Sequence, residues 1–184
     1  MAINLEKGQR IGIGLQRAGI GLGWDPNEGT GYDFDLDASA FLLGESGKIP
    51  SDDFFVFYNN QKSPDGAVES SGDDQTGGSS DGDDETLTVE FAKLDPRVTQ
   101  IMIVVTIHDH ETRKQNFGQV RNSFIRIYDD TTGEEICKYE LDEDFSVETA
   151  IEFGRLYKRG DEWKFEAMGV GYNGGLQTFL GKYN

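Results

Sequence analysis

Hydrophobic and polar positions along the chain repeat with a period of two far more often than with a period near 3.6, so the pattern predicts strands. Residues 10–15 and 19–24 interleave glycine with Ile, Leu and Trp24 and predict closely packed strands. Residues 33–43 predict another strand, and residues 53–59 a further one. FFVFY at 54–58 and QIMIVVTIH at 100–108 are apolar on both faces, the pattern of strands buried on both sides. TLTVEF at 86–91 alternates cleanly. Residues 123–129 and 135–141 flank D-D-T-T-G, and residues 150–158 and 162–170 flank R-G-D-E, two hairpin signals. Helical patterning is short, around Phe91–Arg97, around Glu111–Val120 and in the tail after Gly175. These elements, with no internal repeat at a fixed period, predict an all-β fold. We expect a two-sheet antiparallel β-sandwich with a few short helices and long acidic loops, a single domain over residues 1–184.

Within YDFDLDASAF (32–41), Asp33, Asp35 and Asp37 alternate with Phe34, Leu36 and Ala38. The odd face runs Asp33, Asp35, Asp37, Ser39, Phe41, Leu43, from acidic to apolar, while the even face is apolar throughout. The strand is therefore expected to enter the sandwich from a rim and to leave its aspartates there. An antiparallel neighbour at 53–59 would end at the same rim with Asn59 and Asn60. From Asn59 to about Asp84 no periodicity is visible, and Gly, Ser, Asp and Asn dominate. Loops longer than roughly 12–15 residues are uncommon in compact domains and are usually functional or disordered. Its composition alone is equally that of a solvated acidic loop.

Charge sharpens this picture. The chain has 17 Lys and Arg against 34 Asp and Glu, a net charge of −17. Two segments, 22–47 and 63–92, contain acidic residues and no Lys or Arg, and outside them the charges nearly balance. Such a chain is not expected to seek nucleic acid or an anionic membrane unaided. Its apolar runs are too short for membrane insertion. The single cysteine, Cys137, excludes an internal disulfide, and the first residues lack a secretory apolar core. A soluble cytoplasmic protein is the expectation.

Two like charges 4 Å apart repel by roughly 4 kcal/mol at an effective dielectric near 20, so carboxylates clustered at a rim need protonation or a counter-charge. Neither acidic segment offers a neighbouring Lys or Arg. An all-oxygen set of Asp, Asn and backbone carbonyls favours a hard cation, and a flexible cage favours Ca²⁺ over Mg²⁺. The D-x-D-x-D pattern at Asp33, Asp35 and Asp37 is not an EF-hand, because Ala38 stands where that loop needs Gly and Gly44 where it needs Glu. The ligands are expected from several loops of a β scaffold.

GLGWD (21–25), YDFDLDASAFLL (32–43), FYNNQKSPDGAV (57–68), GDDQTGG followed by GDDE (72–85), VTIHD (105–109), RKQNFGQVRNSFIR (113–126), DEWKF (161–165) and GVGYNGGL (169–176) occur in that order. Together they make the chain similar to the TerD family of tellurium-resistance and bacterial general-stress proteins. The resemblance implies a β-sandwich that binds Ca²⁺ at acidic rim loops, a role in resistance to tellurite and other stresses, and no enzymatic activity. The ligands it implies are Asp25, Asp35, Asp37, Asn59, Asp73, Asp74, Asp84 and Glu85, with backbone oxygens of Thr76 and Gly78. With Asp33, Asn60 and Asp83 from the rim and the acidic loop, these form the full candidate set, expected to hold two Ca²⁺ ions. Expected partners are other stress and tellurium-resistance proteins, membrane-associated ones included.

Two other readings compete. Asp-rich rim loops also serve calcium-dependent membrane-binding sandwiches of the C2 type. A carboxylate-based glycoside hydrolase would need one acid held protonated in an apolar pocket. His108-Asp109-His110 is read as a strand end and a surface loop rather than a zinc site, and Cys137, Trp24, Trp163 and Phe165 as core. Arg113, Lys114, Arg121 and Arg126 are read as solvated rather than as a docking surface.

Overall fold

A computed structural model describes residues 2–27, 29, 31–70, 83–141 and 147–184. Its strands in chain order are β1 (Ile3–Leu5), β2 (Arg10–Gly12), β3 (Arg17–Gly23), β4 (Leu36–Leu43), β5 (Phe55–Val56), β6 (Val68–Ser70), β7 (Glu85–Glu90), β8 (Gln100–Ile107), β9 (Phe124–Asp129), β10 (Glu135–Glu140), β11 (Ala150–Arg159) and β12 (Glu162–Tyr172). Two helices join them, α1 (His110–Arg113) and α2 (Leu176–Tyr183). One sheet has the order β1-β10-β9-β3-β7-β6 and the other β2-β12-β11-β8-β4-β5.

The expected two-sheet sandwich is present, with differences of detail. β1 runs parallel to β10, Ile3 facing Cys137 and Leu5 facing Tyr139, so one sheet is mixed. β1 and β6 were not expected from the pattern; each is only three residues long, too short for alternation to register. β5 is only Phe55–Val56, because a 3₁₀ turn takes up Asp52–Phe54. The helix expected at 111–120 is a single turn, bounded by Asp109 and Lys114 in left-handed conformations at φ 54° and 55°. The one expected at 91–97 is a 3₁₀ turn over Phe91–Lys93. Pro96 disfavours helical backbone at the residue before it.

The main core lies between the sheets. Leu36, Ala38, Ala40 and Leu42 of β4, and Ile101, Ile103, Val105 and Ile107 of β8, meet Ile20, Leu22, Leu87, Val89, Ile125 and Ile127 of the opposite sheet. The odd face of β4 has a second role. Phe41 and Leu43 join Phe55, Met102, Val104 and Ala150 in a separate apolar cluster, sealed by Phe179 and Tyr183 of α2. That covered outer face explains why strands of this sheet are apolar on both sides. The helix is also pinned at its end. Glu152, only 2% exposed, accepts hydrogen bonds from Lys182 Nζ at 2.5 Å and from the Tyr183 hydroxyl. Burial and the adjoining Glu152 carboxylate both push the Tyr183 hydroxyl pKa upward.

The outer face of the other sheet is shaped by glycine. A Cβ on Gly19 would run into the Tyr128 ring, and one on Gly21 would lie 2.5 Å from the Asp83 carboxylate. Those two bare positions let side chains from neighbouring strands lie flat across β3.

Removing the seal tests the second cluster. Phe179→Ala should cost about 3–5 kcal/mol in chemical denaturation, the usual range for a buried Phe. Cys137 is fully buried, and burial pushes its thiol up to about 12. A raised pKa leaves stability untouched below the ordinary thiol value near 9 and lowers it as pH rises from there. The native thiol should therefore resist an aromatic disulfide reagent at pH 8 and react only once denaturant is added.

Candidate metal centre

At one end of the sandwich β4 and β7 begin while β3 and β8 end. Leu36 faces Ile107 and Asp37 faces Thr106 in one sheet, and Leu22 faces Glu85 in the other. Pairing register, with the Glu85–Ala38 contact between the sheets, therefore brings residues 24–27, 31–37, 83–85 and 107–110 to a common rim. Asp35 sits just before β4, 6% exposed, and its carbonyl accepts the His108 N–H at 2.8 Å. The Asp37 side chain is 13% exposed, with Oδ2 3.9 Å from His108 Nδ1, beyond hydrogen-bonding reach. Asp37 also faces a cavity of about 340 Å³ shared with Tyr58, His108, His110 and Gly175.

Glu85 opens β7 in the opposite sheet and is 5% exposed. Its Oε2 accepts the Ala38 N–H at 2.6 Å. β5 pairs with β4 only at Ala40 and Phe41, so the edge of β4 is open towards its start and Glu85 reaches it from the other layer. Asp84 makes a companion tie. Its N–H donates to Leu22 O at 2.7 Å, and its Oδ2 accepts the Trp24 N–H at 2.8 Å. The Trp24 indole N–H donates in turn to Phe34 O at 3.0 Å. Asp84 and Glu85 thus connect the end of β3 to the approach of β4 through backbone groups.

The remaining candidates are distributed. Asp25 is exposed and accepts the Asn122 amide at 2.6 Å. Asp33 is exposed, and its carbonyl and that of Tyr32 accept the side-chain amide of Gln115 at 3.2 and 2.9 Å. Asn59 is exposed at a tight turn. Asn60 closes that turn by donating to Phe55 O at 2.7 Å and Asp53 O at 3.1 Å. Asp83 is held by Arg126, whose Nη2 donates at 2.5 Å and Nε at 2.8 Å, and this bonding raises the guanidinium pKa further. Asp73, Asp74, Thr76 and Gly78 lie outside the described residues. Among the described residues no group of three or more His, Cys, Asp or Glu converges as a metal-binding cluster.

Two contributors were invisible beforehand. Arg126 supplies Asp83 with a counter-charge from 43 positions away, although the acidic segment carries no base of its own. Gln115, 5% exposed, fixes the carbonyls leading into β4. Only a basic residue on a strand face hinted at the first, and nothing in the pattern marked the second.

The TerD domain matches residues 1–183. The chain belongs to the TerD family. It is 46% identical over 188 residues to tellurium resistance protein TerD of Serratia marcescens, covering 100% of this chain and 97% of that protein. It is 47% identical over 189 residues to general stress protein 16U of Bacillus subtilis, again covering 100% of this chain and 97% of the relative. The crystal structure of a TerD homologue from Streptomyces coelicolor A3(2) superposes with a TM-score of 0.70 at 22% identity, covering 93% of this chain and 100% of that one, a likeness of fold. The rim described above is thus part of a TerD domain, assembled from β3, β4, β7 and β8.

The cross-layer tie is open to test. Glu85→Ala leaves a buried N–H on Ala38 without its acceptor and should cost about 1–3 kcal/mol. Glu85→Gln retains an acceptor oxygen and should cost less in the same urea titration. Equal losses would deny the contact to Ala38 its role.

Proposed function

We propose that this TerD-family protein is a non-enzymatic, calcium-binding stress-response protein linked to tellurite resistance, in which Ca²⁺ orders the acidic rim for contact with partner proteins. The observation that carries the reading is the position of Asp35 and Glu85. Both are carboxylates at most 6% exposed, and they come from different sheets to the same end of the sandwich. Burying an ion is costly without strong compensation, and a divalent cation between layers provides it. Donor chemistry fits this ion. Asp35, Asp37, Asp84 and Glu85 offer only oxygen, the set a hard cation prefers. These four would hold Ca²⁺ together with the expected donors Asp73, Asp74, Thr76 and Gly78. Two ions are in keeping with that number of oxygens. The names of the Serratia and Bacillus relatives support tellurite and general stress as the setting. The reading includes partners among other stress and tellurium-resistance proteins, membrane-associated ones among them. A hydrolase needs an acid kept protonated in an apolar pocket; the Asp84 and Glu85 carboxylates instead accept the N–H groups of Trp24 and Ala38.

A second reading has one observation in its favour. Tyr32, Tyr58 and Val147 are 59%, 46% and 59% exposed, and all three lie at the acidic end. Exposed aromatic and aliphatic groups around a calcium rim suit a C2-like sandwich that touches a lipid surface. No helix among the described residues is long and apolar enough to cross a membrane.

Thermal unfolding with and without calcium decides the first reading. At a hundred times its dissociation constant, a bound ion stabilises by about 2.7 kcal/mol, so millimolar Ca²⁺ should raise Tm and chelator should reverse the rise. Asp35→Asn/Asp37→Asn should abolish it; an unchanged melt in the parent protein rejects the calcium site. Co-sedimentation with phosphatidylserine vesicles only when Ca²⁺ is present would establish the second reading, and its absence would dismiss it.

A further inference from the structure

A groove at the opposite end of the sandwich has the chemistry of a second binding site. There the connection from β2 to β3 crosses between the layers. The β11–β12 hairpin and the 3₁₀ turn after β7 close over a cavity of about 870 Å³. Its floor is apolar and aromatic. Leu15, Phe91 and Trp163 are partly buried against the main core, and the Phe91 and Trp163 rings lie 5.4 Å apart, tilted by 36°. Its walls are acidic. Glu90, Asp161 and Glu162 line it; Lys93 reaches Glu90 at 3.3 Å from outside the lining, and the one cation in the lining is Arg17. That cation is already engaged, by Asp130 at 2.5 Å and by Glu90 at 3.8 Å. Asp161 and Glu162 stand exposed on the hairpin. The lip is formed by β2, an edge strand paired only with β12. Along it Gly12 and Gly14 are exposed, and an added Cβ at either would meet nothing within 4 Å. Backbone there is open to an incoming chain.

We propose that this groove binds a short, extended, basic segment of a partner protein, which places an apolar side chain on Phe91 and Trp163 and lysine or arginine against Asp161 and Glu162. The size suits several residues rather than one ion. An exposed strand edge beside a pocket is the arrangement that receives an added peptide strand, and a cation beside aromatic faces gains further attraction. The excess of carboxylates on the walls, on a chain of net charge −17, selects a basic occupant over an acidic one. The site shares no residue with the calcium rim, so either can fail without the other.

The probe is a blocked heptapeptide with two lysines at each end and Leu-Phe-Leu between them, titrated into uniformly ¹⁵N-labelled protein. Amide shifts should concentrate at residues 12–17, 90–92 and 161–163. Affinity should fall at least tenfold in Asp161→Lys/Glu162→Lys, whose exposed positions leave folding intact, and about fivefold in Phe91→Ala. Asp35→Asn/Asp37→Asn should bind as the parent does. The proposal is overturned if a peptide of lysines with Gly-Gly-Gly at its centre binds equally well, which would mean diffuse attraction to an acidic protein. It is also overturned if the shifts gather at the rim, or if none arise at millimolar peptide.

Discussion

Contact between Glu85 and the Ala38 N–H is where the two layers of this TerD domain are locked at their acidic end. A sandwich is free to splay wherever its inner faces run out of apolar side chains, and at this end β4 has an open edge because β5 is so short. A carboxylate crossing from one layer to satisfy the backbone of the other resists that splaying. It also carries a charge into a place with 5% exposure. Asp35 and Asp37 on one layer and Asp84 on the other share the consequence. The geometry that joins the sheets is the geometry that concentrates negative charge.

The two sheets solve burial differently. One is covered on both faces, by the core within and by α2 outside, and its strands are correspondingly apolar throughout. On the outer face of the other, Arg126 lies 4.4 Å from the Tyr128 ring centre and holds Asp83. Bare glycines on β3 let those groups lie close to the backbone. The ends of the sandwich differ as well. Asp35, Asp37, Asp84 and Glu85 lie where β4 and β7 begin, and an aromatic floor with acidic walls opens where β7 ends and the β11–β12 hairpin turns.

Part of the architecture of the rim could be read before any coordinates. The alternation in YDFDLDASAF predicted a strand entered from its acidic end; β4 begins at Leu36, three residues later than expected, and the antiparallel partner after residue 53 is present. The acidic segments were visible as regions lacking Lys and Arg. What local pattern missed was the reach of long-range partners. Asn60 stands beside the rim in sequence, yet its amide turns back to Phe55 and Asp53. Asp83 stands among acidic neighbours, yet meets Arg126. Strand periodicity reports which way a side chain faces and says nothing about what another strand brings opposite it.

By itself, then, the sequence determined the longer strands, the apolar faces and the location of the acidic segments, because each follows from residue spacing along one extended segment. Only the tertiary structure decided that the apolar half of the odd face of β4 lies beneath α2, that β1 pairs parallel to β10, and that Glu85 rather than a neighbouring residue closes the edge of β4. Those outcomes depend on contacts between segments tens of residues apart, and loop closure over such distances is settled by the packing of the whole core rather than by any local preference.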